Sequence, residues 1–331
     1  MEKKASQGLK LLLSVALAAA LLYFAFRGID WHDFLSGLRT TDWLYITLSM
    51  IAAYIALVLR AERWRGQLTA INPGIERHRI WHGSNIGNFL SLIIPGLGEF
   101  YRCAQVTDKK VGYDKTFGTI LMERSWDILA ILVLLVGAVL TNTDVLLPFM
   151  RDNIMTPFAE KFRLSIWWIA AAGAFAAASA VLLIFRFRER SSFCARCAGA
   201  LKGVMEGFTA FAGMKRKWLF LLYTAGIWVM YILMSYFTFK AVPGLGHLSF
   251  TDAVFISAVG NIASVIPTPG NLGAYHYLVG LAISSIYLGA SEILATPLLF
   301  ATLSHGSHAV LLIILGIFSY IAVGLRKNRK I

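Results

Sequence analysis

The sequence predicts an all-α polytopic membrane protein with about six full transmembrane helices and two re-entrant helical hairpins arranged as an inverted repeat. Three observations predict it. The first is composition: of 331 residues, 57% are hydrophobic and only 15% charged, against roughly 25% charged in a soluble domain. The second is a stretch that occurs twice. Gly87-Asn88-Phe89-Leu90-Ser91 runs through Leu92-Ile93-Ile94 to Pro95-Gly96-Leu97-Gly98-Glu99, and Gly260-Asn261-Ile262-Ala263-Ser264 runs through Val265-Ile266 to Pro267-Thr268-Pro269-Gly270-Asn271-Leu272-Gly273. Each copy has Gly-Asn, a Ser, a short apolar run and a Pro/Gly break. Internal repeats fix an architecture, and paired short, interrupted hydrophobic segments point to a binding site in a membrane protein. The third is the net charge of +13. Its basic residues sit between apolar spans, which fits a positive-inside bias and gives no reason to expect a nucleic-acid partner.

The elements follow in order. Leu9–Phe26 is long enough to span at 1.5 Å per residue and lacks a small-residue cleavage site, so it reads as a retained span. Asp30 caps a short segment with Trp31, Phe34, Leu35 and Leu38 on one face, an interfacial helix. Trp43–Leu59 is the second span, followed by a basic loop over Arg60–Arg79. Ile80–Ile94 is roughly 22 Å as a helix, short of a hydrocarbon core of about 30 Å, and ends at Pro95. Thr116–Leu140 spans, Thr141–Arg163 is a mixed-charge loop, and Leu164–Phe185 spans with an Ala-rich middle suited to close packing. In the basic stretch Arg186–Lys217, the residues Phe193, Cys197, Leu201, Val204, Phe208 and Phe211 recur at helical spacing. That predicts an amphipathic segment over about 191–213 lying on the cytoplasmic surface. Trp218–Phe239 spans. Asp252–Ile266 is the second short arm, Leu272–Leu288 its return, and Thr296–Val323 the last span.

Charge orients these elements. With both short arms returning to their own side, 24 of the 31 Lys and Arg residues fall inside and six outside, leaving Arg124 within the membrane. If the first arm crossed instead, the basic stretch 186–217 would lie outside. The expectation is therefore a single transmembrane domain over 1–331 in the cytoplasmic membrane, multi-pass, with both termini cytoplasmic. Its first repeat covers about 43–140 with hairpin 80–112, and its second about 218–323 with hairpin 252–288. The hairpins enter from opposite faces.

Breaks at this depth free backbone groups that must be buried in protein or face a watery cavity. Gly96, Gly98, Gly270 and Gly273 permit sharp turns, and Pro95, Pro267 and Pro269 stop the incoming helices. Asn88 and Asn261 lead into them. Beside the first break stand Glu99, Arg102, Glu123, Arg124 and Asp127, with Glu123 and Asp127 on one helical face. Charges at this depth pair or serve a pathway. They form an ion-pair network clamping hairpin to helix, or Arg102 or Arg124 also meets an anionic headgroup phosphate through its planar fork; the two readings are compatible. Past the second break, Tyr275, His276, His305 and His308 form a polar cluster, read as packing around the hairpin rather than as a metal site or proton relay. Cys103 stands alone, and Cys194-Ala195-Arg196-Cys197 is an isolated CxxC without the partners a metal site usually shows. With no Walker A loop, zinc-protease helix or nucleophile elbow, the sequence suggests neither an enzyme nor a cofactor or metal.

At Pro95-Gly96-Leu97-Gly98-Glu99-Phe100-Tyr101-Arg102, Glu123-Arg124-Ser125-Trp126-Asp127 and Pro269-Gly270-Asn271-Leu272-Gly273, the chain resembles the lysylphosphatidylglycerol synthase transmembrane, or flippase-like, family. The resemblance covers most of the chain. It implies a role in moving or presenting a lipid across the cytoplasmic membrane, with Glu99, Arg102, Glu123, Arg124 and Asp127 matching the family's first motif set. Family members often carry a Glu shortly after the second Pro-Gly-x-Leu-Gly, where this chain has His276. The chain closes soon after its last predicted span, so the soluble synthase domain of two-part relatives is expected to be absent. The chain is then not expected to make aminoacyl lipid itself.

The function expected is binding and translocation of a membrane lipid, anionic or lipid-linked, between leaflets. The alternatives are a non-catalytic subunit presenting lipid to a separate synthase or glycosyltransferase, and a membrane scaffold.

Overall fold

The computed structural model describes residues 2–107, 112–141, 182–187, 192–264 and 266–328, and singly residues 151, 156, 175, 179 and 189. Most of the predicted loop Thr141–Arg163 and span Leu164–Phe185 lie outside the described residues. So do Lys109, Lys110, Lys161, Arg163, Arg329 and Lys330. Among the described residues all regular structure is helical.

The chain opens with α1 (Glu2–Phe26) and α2 (Trp31–Arg39), whose first turn is capped by the Asp30 carboxylate accepting from the backbone of His32 and Asp33. Phe34 is buried, while Trp31 and Leu35 stay exposed, so only part of the predicted apolar face packs inward. Then α3 runs from Trp43 to Ile71. The expected basic loop over Arg60–Arg79 is thereby corrected: Arg60, Arg63 and Arg65 lie on α3. Nothing between Arg60 and Ile71 halts a helix until Asn72-Pro73-Gly74, where Asn72 is extended (φ −137°, ψ 97°), as a residue before proline prefers.

The first hairpin is α4 (Arg77–Ile93) and α5 (Leu97–Val106). Ile94 is extended ahead of Pro95, and Gly96 at φ 77° starts the return in the left-handed region. α6 (Tyr113–Thr141) follows. After the undescribed stretch come α7 (Ser192–Phe208), the short α8 (Ala210–Gly213) and α9 (Lys217–Ala241). The second hairpin is α10 (Phe250–Ala263), a 3-10 turn (Pro269–Asn271) and α11 (Ala274–Tyr287). α10 begins with a reciprocal cap between Ser249 and Asp252. α12 (Ala295–Asn328) closes the fold.

Among the described residues three helices are long and apolar enough to cross a membrane: Trp43–Ile71, Lys217–Ala241 and Ala295–Arg326. Their outer faces, and those of α1 and α6, expose large apolar side chains such as Leu13, Ile55, Leu132 and Ile314. The arms α4 and α10 are 17 and 14 residues long.

α3 and α9 pack along a seam of small residues, as lipid-embedded helices do when close approach replaces a hydrophobic driving force. Ala52, Ala53 and Ala56 are buried in it, and the Ser49 hydroxyl donates to the Met234 carbonyl at 3.2 Å. Across the fold, α4 lies against α12 and α10 against α6. The first of these contacts is fixed by Asn85 Nδ2 donating to Ser319 Oγ at 3.2 Å, and by Gly316, which admits the Phe89 ring. The main core gathers α9 to α12, with Phe239 stacked on Phe300 at 4.7 Å and Phe255, Ile256 and Ile283 around them.

The lead glycines do matching work in the two hairpins. A Cβ on Gly87 would fall 2.8 Å from the Gly98 carbonyl and from Arg102 Cγ; one on Gly260 would fall 2.6 Å from the Tyr275 ring. In each case the absent side chain lets the returning arm close on the incoming one. The two breaks also touch: Gly270 lies against Leu92, and an added Cβ there would be 3.1 Å from Leu92 Cδ2. α1 covers the second break, its backbone at Ala18 and Leu22 pressed to Gly273. α7 packs along the start of α6, where Gly203 makes room for the Asp114 carboxylate and Glu206 pairs with Lys115 at 2.6 Å. Side chains of Phe193 and Phe208, on its predicted apolar face, lie outside the described residues.

Candidate functional site

The charged residues around the first break separate into two layers. The inner layer is built on Arg63, which is fully buried on α3. Arg63 Nη1 donates to Asp127 Oδ1 at 2.8 Å, and its Nε lies 3.6 Å from Glu123 Oε1. Glu123 Oε2 in turn accepts from Arg102 Nη2 at 2.8 Å. Glu123 and Asp127, four apart on α6, thus face one guanidinium, and Arg102 brings α5 into the same network. Two positive and two negative side chains make this quartet neutral. Arg102 also stacks over the Trp64 indole at 4.2 Å, and that indole N–H donates to Thr119 at 2.9 Å. Arg63 further lies 5.7 Å from the Phe220 ring of α9. The quartet therefore ties α3, α5 and α6 together at a depth where an isolated charge costs several kcal/mol.

The outer layer is one ion pair, Arg124 of α6 with Glu99 of α5. Its setting differs. The Arg124 side chain is 48% exposed. Arg124 lies eleven residues past Tyr113, about 16 Å along the helix, and its neighbours Leu121, Ile128 and Leu132 present an apolar surface. A half-exposed ion pair on an otherwise apolar face is the chemically accessible part of the constellation. Arg60, one turn before Arg63 on α3, donates to the Tyr231 hydroxyl at 3.0 Å. It adds a fourth guanidinium to three carboxylates, so this region carries an excess of positive charge.

Sequence reasoning paired neither Glu99 nor Arg102 with its partner, and it missed Arg63 altogether. It also missed Gln67, fully buried one turn beyond, neither of whose amide atoms has a hydrogen-bond partner. The signal was a helical period. Ser49, Ala52, Ala53, Ala56, Arg63 and Gln67 form one continuous buried face, and it runs straight through the supposed loop.

At the second break the structure joins Tyr275, His276 and His305. His305 Nε2 is 2.7 Å from the Gly270 carbonyl, and the Tyr275 hydroxyl is 3.0 Å from Ser304 Oγ. The His276 and His305 rings are 5.3 Å apart, and His276 is buried with Nδ1 unpartnered. His308 lies one turn further along α12, outside this ring cluster. Gly270, Asn271 and Gly273 all have positive φ, while Pro267 precedes the 3-10 turn and Pro269 opens it. Asn261 Nδ2 donates to the Ser257 carbonyl at 2.8 Å, closing the end of α10; Asn88 is half-buried on α4. Cys103, Cys194 and Cys197 form no disulfide. Asp30, His32 and Asp33 bring ligand atoms within 4.8 Å of one another, but all three are exposed and Asp30 is engaged in capping α2.

Comparison with known proteins places these features in a group. The family described as the lysylphosphatidylglycerol synthase transmembrane region matches residues 11–316. A UPF0104 membrane protein of Pyrococcus horikoshii is 23% identical over 283 residues, covering 80% of this chain and 83% of that protein. No solved structure matches.

Proposed function

The chain belongs to the lysylphosphatidylglycerol synthase transmembrane-region family, and on that premise we propose that it binds the anionic head of a membrane lipid and carries it between leaflets of the cytoplasmic membrane. The observation that carries this reading is the Arg124–Glu99 pair, half-exposed on an apolar helix face beside a break. The planar fork of Arg124 can take a phosphate while it keeps Glu99, so that no charge within the membrane is left isolated. The buried quartet behind it is the clamp that keeps the break in place. An inverted repeat is supported by the cross-packing of α4 on α12 and α10 on α6 and by the matching parts played by Gly87 and Gly260. In this arrangement both termini are cytoplasmic, and the two hairpins enter from opposite faces to meet at Leu92 and Gly270.

The test is transfer of labelled anionic lipids across the bilayer of proteoliposomes. Wild type should transfer and Arg124→Ala should not, while inserting normally. Transfer retained by a well-folded Arg124→Ala protein removes that residue from the site. The family's description as a region of a synthase favours one second reading, that the chain presents lipid to a separate enzyme. Co-purification of a soluble transferase, with no transfer by the chain alone, selects it.

A further inference from the structure

A second site stands away from the charged break. Between α3 and α4 lies an open cleft of about 530 Å³, lined by Tyr54, Val58, Glu62, Arg77, His78 and Trp81. Its two ends differ chemically. Tyr54, Val58 and Glu62 follow one another at i, i+4 and i+8, so they form a single stripe along α3 about 12 Å long. One end is apolar: the Tyr54 and Trp81 rings meet edge to face at 6.2 Å, with Val58 below them. At the other end Glu62 is shared by two guanidinium groups, accepting from Arg77 Nε at 2.6 Å and from Arg65 Nε at 2.8 Å. The Arg77 side chain is 69% exposed, and beside it the Glu76 carboxylate lies 3.4 Å from His78 Nε2, so this end carries charge of both signs. His78 stands beside it.

We infer that this cleft holds one phospholipid side-on, its phosphodiester against Arg77 and one acyl chain laid over Tyr54, Val58 and Trp81. The polarity of the cleft runs along α3, a membrane-crossing helix, so a lipid standing in its own leaflet is already aligned with it. The exposed Arg77 guanidinium is the cationic contact that the cleft offers, and an arginine fork is the fitting partner for a phosphate. From Tyr54 to Val58 the apolar part of the stripe is about 6 Å long, enough for the first carbons of one acyl chain and too short for a transmembrane helix of a partner. This site is separate from the Arg124–Glu99 pair, so it stands or falls apart from the transfer reading.

The experiment uses the full chain in maltoside micelles with a phosphatidylglycerol carrying a diazirine in its acyl chain. Photo-adducts should concentrate on the peptides containing Tyr54 and Trp81 rather than on Leu132, which faces outward on α6. Unlabelled phosphatidylglycerol should displace the probe, and diacylglycerol with the same tails should not. Val58→Trp fills the cleft and should cut the labelling about tenfold while labelling at Leu132 is kept. Arg77→Gln leaves Glu62 paired with Arg65 and should weaken competition by phosphatidylglycerol about tenfold, the loss of one charge-assisted contact. Equal labelling of Tyr54, Trp81 and Leu132 would overturn the inference. So would diacylglycerol competing as well as phosphatidylglycerol, which marks an adventitious apolar crevice only. If Val58→Trp does not fold, Arg77→Gln alone decides. Loss of transfer in Arg124→Ala with cleft labelling intact would show the two sites to be independent.

Discussion

The two hairpins have the same outline and opposite chemistry. The first is fastened by charge: Arg102 and Glu99 on its return arm each reach a partner on α6, and Arg63 closes the network from α3. The second is fastened mostly by neutral contacts, with Tyr275 to Ser304, His305 to the Gly270 carbonyl, and rings packed on rings, though the Asp252 carboxylate of α10 also meets Tyr287 of α11. Charge pairs are directional and costly to break singly, because removing one partner strands the other in a poor solvent. Neutral hydrogen bonds give less when formed and lose less when broken. One break is thus held rigidly by ions, while its counterpart relies on packing and glycine geometry.

The largest expected effect tests that contrast directly. Arg63→Met keeps most of the side-chain volume but strands Asp127 and half of Glu123. It should destabilise the protein by about 3–5 kcal/mol, whereas Tyr275→Phe in the second hairpin should cost about 1 kcal/mol. Thermal unfolding in detergent measures both, and equal losses would erase the distinction between the hairpins. Next come the glycines. A Cβ on Gly98 would sit 2.1 Å from the Gly87 carbonyl, a backbone atom; one on Gly260 meets only the Tyr275 ring. Gly98→Ala should therefore cost roughly 1–3 kcal/mol and exceed Gly260→Ala in the same assay. A larger loss at Gly260 would mean that the Tyr275–Ser304 bond holds that ring immobile.

Smaller still is His305→Phe, which removes the partner of the Gly270 carbonyl. It should cost about 1 kcal/mol and speed hydrogen exchange around 268–273 without altering exchange in α5. Spread of the effect into α5 would show that the second break supports the first. The smallest effect lies outside the span. Lys115 holds the Glu206 carboxyl below its usual range through their hydrogen bond and charge, and Glu206 raises the Lys115 ammonium in return. The carboxyl's contribution is present above its unfolded pKa and disappears as pH falls through the lowered folded value. The ammonium's is present below about 10.5 and disappears as pH rises through the raised one. The protection of the α7 amides, corrected for the intrinsic pH dependence of exchange, should thus fall at pH 3.5 relative to pH 7 in wild type and lose that dependence in Glu206→Gln. A variant that keeps the full pH response would place the sensor elsewhere.

Much of this was legible in the sequence, for reasons that also set its limits. Pro95, Gly96, Gly270 and Gly273 announce breaks because only a few residue types tolerate the backbone there. Charges in an apolar helix announce themselves by their cost, so Glu123, Arg124 and Asp127 stood out. Arg63 did not, because Arg60, Arg65, Arg77 and Arg79 flank it and together they look like a solvated loop. What hides it is that a helix end is set by Asn72-Pro73-Gly74 and not by where hydrophobicity stops. Pairing was equally hidden: Glu99 and Arg102 sit at salt-bridge spacing on one helix, yet each turns to α6, a choice made by tertiary packing alone. Nor does the repeated Gly-Asn-x-x-Ser lead reveal that one copy would close on an arginine and the other on a tyrosine.

The touch between Leu92 and Gly270 has a mechanical consequence. Two tips in van der Waals contact, each built on a break, share a joint. A tilt of one toward the other is blocked, so each can only slide past its neighbour or travel with it. The first hairpin, held to α6 by the Arg102–Glu123 pair, is then the more firmly fastened of the two tips.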